Sequence, residues 1–200
     1  MKQLVKGETP GFLTKFIAHK QPKVWDDISP IRQQLRKHIL EEQNKFCAYT
    51  ELRINTVDDC HIDHYHTRNL YPDETFEYSN MLVSCNSEEY GAKYKDKQVK
   101  IKEDYKELVN PVEDLPTDFI EFGLTGRDNT VGDCTKGKQT ISFFNLNEKS
   151  LVQRRKTVVA NLLQMKDYLT EDEMVESLGE FETLVRQLYK YCTKISVSTF

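Results

Sequence analysis

The stretch CHIDHYHTRN, residues 60–69, sets Asp63 beside His64 and flanks the pair with His61 and His66, in a chain whose only other histidines are His19 and His38. Hydrolysis of a phosphodiester asks for a base that takes a proton from water near neutral pH. It also asks for a carboxylate-held divalent cation that offsets charge on the phosphate and the leaving oxygen. On this reading Asp63 is the oxygen ligand of Mg²⁺ or a similar hard cation, and His64, left off the metal, takes the proton. Adjacent side chains of a regular strand point to opposite faces, so the two can serve one site only if the strand ends or bends at His64. One carboxylate is a poor cation site, and Asn86, Glu88 and Glu89 are the nearest candidates for a second ligand. Asn80, beyond the intervening loop, can bond backbone groups on both sides of itself and fix the loop that presents His64. In GAKYKDKQVKIK, residues 91–102, five lysines including Lys93, Lys95 and Lys97 are opposed only by Asp96. Together with Arg68 they can grip a phosphate backbone. The plainer alternatives are a solvated helix face for the lysines and exposed strand positions for His61 and His66, with His66 at most a neighbour of the scissile phosphate.

The elements that must position these residues follow from pattern. Ser29-Pro30 reads as the start of a helix, and Ile31, Leu35 and Ile39 repeat at helical spacing up to about Phe46. CAYTELRI and CHIDHYH read as two short strands of a hairpin, TRNLYPDETFEYS as a loop, and NMLVSC as a further short strand. Asn86 or Ser87 can cap a helix through EEYGAKYKDKQ. The segment NPVEDLPTDFIEFGLTGRDNTVGD is turn-rich, with one short strand about Phe119 to Leu124. Asn147 can then cap a helix carrying Leu151, Val158, Leu162, Met165 and Leu169. Thr170 with Glu173 forms a capping box for another helix, along which Met174, Leu178, Phe181, Val185, Leu188 and Cys192 follow a 4-3 repeat of the kind that packs in a core or partner seam. The expected class is α+β, mainly helical.

The chain has 200 residues, 38% of them hydrophobic and 30% charged, with a net charge of −4, so any polyanion must be held by a local patch rather than by the overall field. Five cysteines at irregular spacing, without a secretory h-region in MKQLVKGETPGFL, argue for reduced thiols and a cytoplasmic protein. No stretch approaches the roughly 20 apolar residues that span a bilayer.

In order, CAYTE, HIDHYHTRN, YSNMLVSCN and GAKYKD resemble the HNH nuclease domain, also called the ββα-metal or His-Me finger. Flanking similarity, in QNKFCAYTE, VNPVEDLPTDFIEFGLTG and ISFFNLNEKSLVQRRKTVVANLL, is to the HNH proteins of bacterial anti-phage defence of the PtuB type, found with Septu systems and some retrons. The resemblance runs from about residue 25 to about residue 165. It implies a ββα-metal core at about 47–97, set between a helix at about 30–46 and a helical region at about 147–192, in one unit over 1–200. It implies a Mg²⁺- or Mn²⁺-dependent endonuclease acting on DNA, with RNA as an alternative, and an ATPase partner of the PtuA kind. Asp63 matches the acidic metal ligand, His64 the general base and Asn80 the asparagine that braces the loop. The helix ligand does not carry over cleanly: the usual interval lands on Glu89, and Asn86 competes. Many members hold a structural zinc on two Cys-x-x-Cys pairs. Here Cys47 and Cys85 match first members, but Thr50 and Glu88 stand at the second positions, so zinc is not expected. The unmatched ligands leave a second possibility, a non-catalytic nucleic-acid-binding or assembly subunit on the same scaffold.

Overall fold

In the computed structural model, residues 1–197 are described. The first helices are α1 (Gly11–Lys20) and α2 (Ser29–Glu42), the latter burying Leu35, Ile39 and Leu40 along one face. Each such aliphatic side chain contributes about 1.5–3 kcal/mol when removed from water. Helix α2 starts at Ser29 with Pro30 in its first turn, where a missing N–H costs nothing. Just past its end, Gln43 is buried and spends its amide on the next layer: Nε2 donates to the carbonyls of Phe46 (2.8 Å) and Val83 (2.9 Å), while Oε1 accepts the Val83 N–H at 2.7 Å.

Residues 47–54 do not form the first strand of a hairpin. They make a tight turn, with Glu51 at φ +58°, closed by a single bridge between Phe46 and Arg53. The reason is local: the Cys47 N–H bonds to Leu52 O within the turn, and the Ala48 N–H goes to Val83 O. Strand β1 (Cys60–His64) instead pairs antiparallel with β2 (Met81–Cys85), with Asp63 opposite Leu82 and His64 opposite Met81. Residues 65–80 connect the two strands through short 3₁₀ turns at Pro72–Glu74 and Tyr78–Asn80.

Helix α3 (Ala92–Gln98) follows β2 but starts later than its sequence suggests. Gly91 stands at φ +77°, its N–H bonded to Phe144 O, and a Cβ there would lie 3.2 Å from Ser84 Oγ. The chain therefore turns at Gly91 before the helix begins. The order strand, loop, strand, helix holds from residue 60 to residue 98.

A second antiparallel pair, β3 (Ile120–Phe122) and β4 (Asp128–Thr130), precedes α4 (Thr135–Phe143), α5 (Lys149–Met165), α6 (Glu171–Leu178) and α7 (Glu182–Val197). Glu148 rather than Asn147 caps α5, accepting the Ser150 and Leu151 N–H groups. Asn147 bonds instead to the backbone of Asp128. The capping box of Thr170 and Glu173 forms as the sequence indicates. The 4-3 repeat is split between two helices at Gly179 (φ +70°), and Met174, Phe181, Val185, Leu188 and Cys192 are buried. The apolar cluster runs without a break from Leu13 in α1 to Cys192 in α7. The fold is α+β, with seven α-helices and two two-stranded sheets among the described residues.

Candidate active site

Strand β1 ends at His64, and the condition for Asp63 and His64 to share a site is met: both line one cleft of about 480 Å³, although they leave the strand on opposite sides. His61, Arg68, Lys93 and Asp96 also face it. Each of the central side chains is fixed by a different neighbour.

His64 is only 6% exposed. Its ring stands edge-on to Trp25, with centroids 4.4 Å apart, and its Nε2 lies 3.0 Å from the Thr75 carbonyl. A carbonyl can only accept, so Nε2 carries the proton and donates, which leaves Nδ1 as the unprotonated nitrogen. Burial lowers the His64 pKa to about 4, against the raising influence of the Thr75 bond and Asp63; Arg68 and Lys95 also lower it. The imidazole is therefore neutral at pH 7.

Asn80 (6% exposed) holds the loop that carries Thr75. Its Oδ1 accepts the His66 N–H at 2.7 Å, its Nδ2 donates to His66 O at 3.0 Å and Glu74 O at 3.4 Å, and its own carbonyl accepts the Tyr65 N–H at 2.9 Å. This is the bracing anticipated from sequence. Tyr105 adds a further tie, its hydroxyl accepting the Thr67 N–H at 2.8 Å.

Asp63 is 4% exposed and already compensated. The Tyr49 hydroxyl donates to Oδ2, and the Lys95 ammonium lies 3.2 Å from Oδ2 and 3.4 Å from Oδ1. Burial alone would raise the Asp63 pKa, but Lys95 and the Tyr49 bond outweigh it and hold the carboxyl below its usual range. Lys95 was expected to grip phosphate. It is instead fully buried, with its ammonium on Asp63, the His64 and Tyr65 carbonyls, and Asp96. It lies on the inward face of α3, whereas Lys93 and Lys97 on either side of it in sequence pair with Glu88 at 2.9 and 2.8 Å.

The proposed helix ligands do not arrive at Asp63. Asn86 precedes α3, its Oδ1 facing His61 Nδ1 at 3.1 Å and its Nδ2 donating to Asp58 O at 3.0 Å. Glu89 is exposed in the turn before Gly91 and contributes its backbone to Ser87 and Asn145. Both stand before the bend that separates β2 from α3, which is why an interval counted along a continuous helix misplaces them. The carboxylate of α3 that does reach the cleft is Asp96, 46% exposed, which burial and Asp63 push up to about 6. His66, read from sequence as at most a neighbour of the scissile phosphate, pairs with Glu74 at 2.8 Å and stacks on Tyr71, whereas His61 faces the cleft.

A divalent cation at Asp63 needs oxygen ligands with free lone pairs and a charge deficit. Here the Asp63 carboxylate accepts from Tyr49 and Lys95, and among the described residues no three His, Cys, Asp or Glu side chains converge on one ion position. The donor set as folded does not fit a resident metal. At the positions that match the zinc pairs, Cys47 Sγ accepts the Cys85 N–H and contacts Ser84 Oγ, both at 3.5 Å, while Glu88 faces solvent between Lys93 and Lys97.

Sequence reasoning did not find Tyr49, Trp25 or Asp96. Tyr49 sits inside CAYTE and Asp96 inside the lysine run, but their roles depend on contacts between segments that no spacing reports. Neither a protein-family model nor a functionally curated protein matches the chain.

Proposed function

We propose that this chain is a ββα-type endonuclease acting on the phosphodiesters of DNA, with His64 as the base that takes a proton from water. The observation that carries this is the His64 imidazole, walled by Trp25 and oriented by the Thr75 carbonyl, in a cleft that also holds Arg68 and Lys93. A phosphodiester seated against Arg68 and Lys93 brings negative charge next to His64. That charge raises the imidazole pKa from about 4 toward the neutral range in which a general base works best. Asn80 keeps the Thr75 carbonyl where it selects the tautomer. In keeping with the PtuB-type resemblance, the chain serves as the effector nuclease of an anti-phage defence system, working with an ATPase partner.

The test is cleavage of supercoiled plasmid by the purified chain, alone and with a PtuA-type ATPase added, in Mg²⁺, Mn²⁺ or EDTA. His64→Ala is expected to slow cleavage by about 10²–10⁴-fold. Cleavage unchanged by His64→Ala removes the assignment.

A second reading has its own observation. With Asp63 neutralised by Lys95, the scaffold can bind nucleic acid without cutting it. DNA binding that depends on Arg68, with no cleavage under any of these conditions, selects this reading.

A further inference from the structure

We propose that the Lys95 ammonium is the resident cation of this site, occupying a cage of oxygens that would otherwise take a hard divalent ion. Five oxygens from four residues surround Nζ: Tyr65 O at 2.8 Å, His64 O at 3.0 Å, Asp63 Oδ2 at 3.2 Å and Oδ1 at 3.4 Å, and Asp96 Oδ1 at 3.2 Å. An ammonium has three protons to donate, so the cage offers more acceptors than a lysine can use singly. Carboxylates mixed with backbone carbonyls are the ligand chemistry of hard cations. The nitrogen is closed off from solvent, with the Tyr49 and Tyr65 rings 5.9 and 5.6 Å away.

Three consequences follow from this geometry. A divalent ion cannot reach the Asp63 carboxylate while Lys95 is in place, because it would have to sit within about a hydrogen-bond length of a like charge. Lys95 cannot step aside without leaving two buried carbonyls, to which no other side chain among the described residues donates. Asp63 is therefore a positioning residue that pins the end of β1 to α3, and removing the lysine side chain leaves an oxygen-lined site for Mg²⁺, Mn²⁺ or Ca²⁺. This cage of oxygens surrounds Nζ whether or not the chain cleaves nucleic acid.

Mn²⁺ binding followed by electron paramagnetic resonance, and Tb³⁺ luminescence sensitised by the adjoining tyrosines, test it. Wild-type protein is expected to show no saturable site that responds to Asp63→Asn. Lys95→Ala is expected to gain one, with a dissociation constant on the order of 10⁻⁴ M, and the double variant Lys95→Ala/Asp63→Asn to lose it. A wild-type site abolished by Asp63→Asn overturns the proposal, as does a folded Lys95→Ala that binds nothing. If the variants fail to fold, native lysine acylation read by mass spectrometry decides on the wild type. Lys95 is expected to stay unmodified with or without Mg²⁺ at about 10 mM, a concentration above the dissociation constants of typical hard-cation sites. Acylation of Lys95 that appears only when Mg²⁺ is added overturns the proposal.

Discussion

His64 has opposite requirements placed on it by its surroundings. Burial against Trp25 disfavours its charged form, and the Thr75 carbonyl fixes which nitrogen is free. Because its folded value of about 4 lies below the unfolded 6.5, its contribution to stability is fully present above pH 6.5 and is lost as pH falls toward 4. Denaturant unfolding at a series of pH values should therefore show the stability difference between wild type and His64→Gln shrinking across that window, by about 3 kcal/mol at its acid end. A difference that stays constant with pH contradicts the buried, neutral imidazole. Lys95 makes a second prediction at this scale. Lys95→Met leaves the Asp63 charge buried without its cation and is expected to cost about 3–5 kcal/mol, part of which Asp63→Asn recovers in the double variant. Of these residues, Asp63, His64 and Asn80 were legible in the sequence because their types and order are unusual. Lys95 was not, because a lysine among lysines reads as solvated until the helix face it occupies is known.

Between elements, the loop of residues 65–80 does the positioning. It joins two paired strands, and its backbone is held from inside by one amide, that of Asn80. Asn80→Ala removes three side-chain hydrogen bonds from a buried position. It is expected to lower stability by about 2–3 kcal/mol, at roughly 1 kcal/mol for each bond. Hydrogen exchange should speed up at the His66 amide while amides in the centre of β2 keep their protection, and equal acceleration of both would show that Asn80 supports the whole sheet rather than the loop. Helix α3 illustrates where pattern failed. Residues 86–91 have the capping residues of a helix start, yet Asn86 is engaged by His61 and Asp58, and Gly91 turns the chain so that the helix begins at Ala92. That shift moves Glu89 out of the cleft and brings Asp96 into it. A similar close approach fixes Gly137 in α4, where a Cβ would come within 2.3 Å of Phe119 O, so the helix packs directly on the backbone leading into β3.

For the molecule as a whole, charge is distributed unevenly. The net charge is −4, yet the cleft beside His64 presents Arg68, Lys93 and Lys100 against the half-exposed Asp96. Binding of duplex DNA should accordingly be local and salt-dependent. With three phosphate contacts, the logarithm of affinity should fall against the logarithm of salt with a slope of about −2.7, and Arg68→Ala should reduce that slope by about 1. Fluorescence anisotropy over a salt series measures both, and a slope unaffected by Arg68→Ala would move the DNA contact elsewhere. No described helix is long and apolar enough to cross a membrane.

The sequence by itself determined the α+β class, the strand and loop that carry Asp63 and His64, and the place of Asn80 at the end of that loop. These depend on residue type and on separations short enough for the chain to enforce. Tertiary structure alone decided what the carboxylate faces. Tyr49 from the turn after α2 and Lys95 from α3 meet at Asp63, and Trp25 from before α2 meets His64. Those meetings depend on the start of one short helix and the packing of distant segments. A one-turn change in where α3 begins takes Glu89 out of the cleft and sets the Lys95 ammonium on the Asp63 carboxylate.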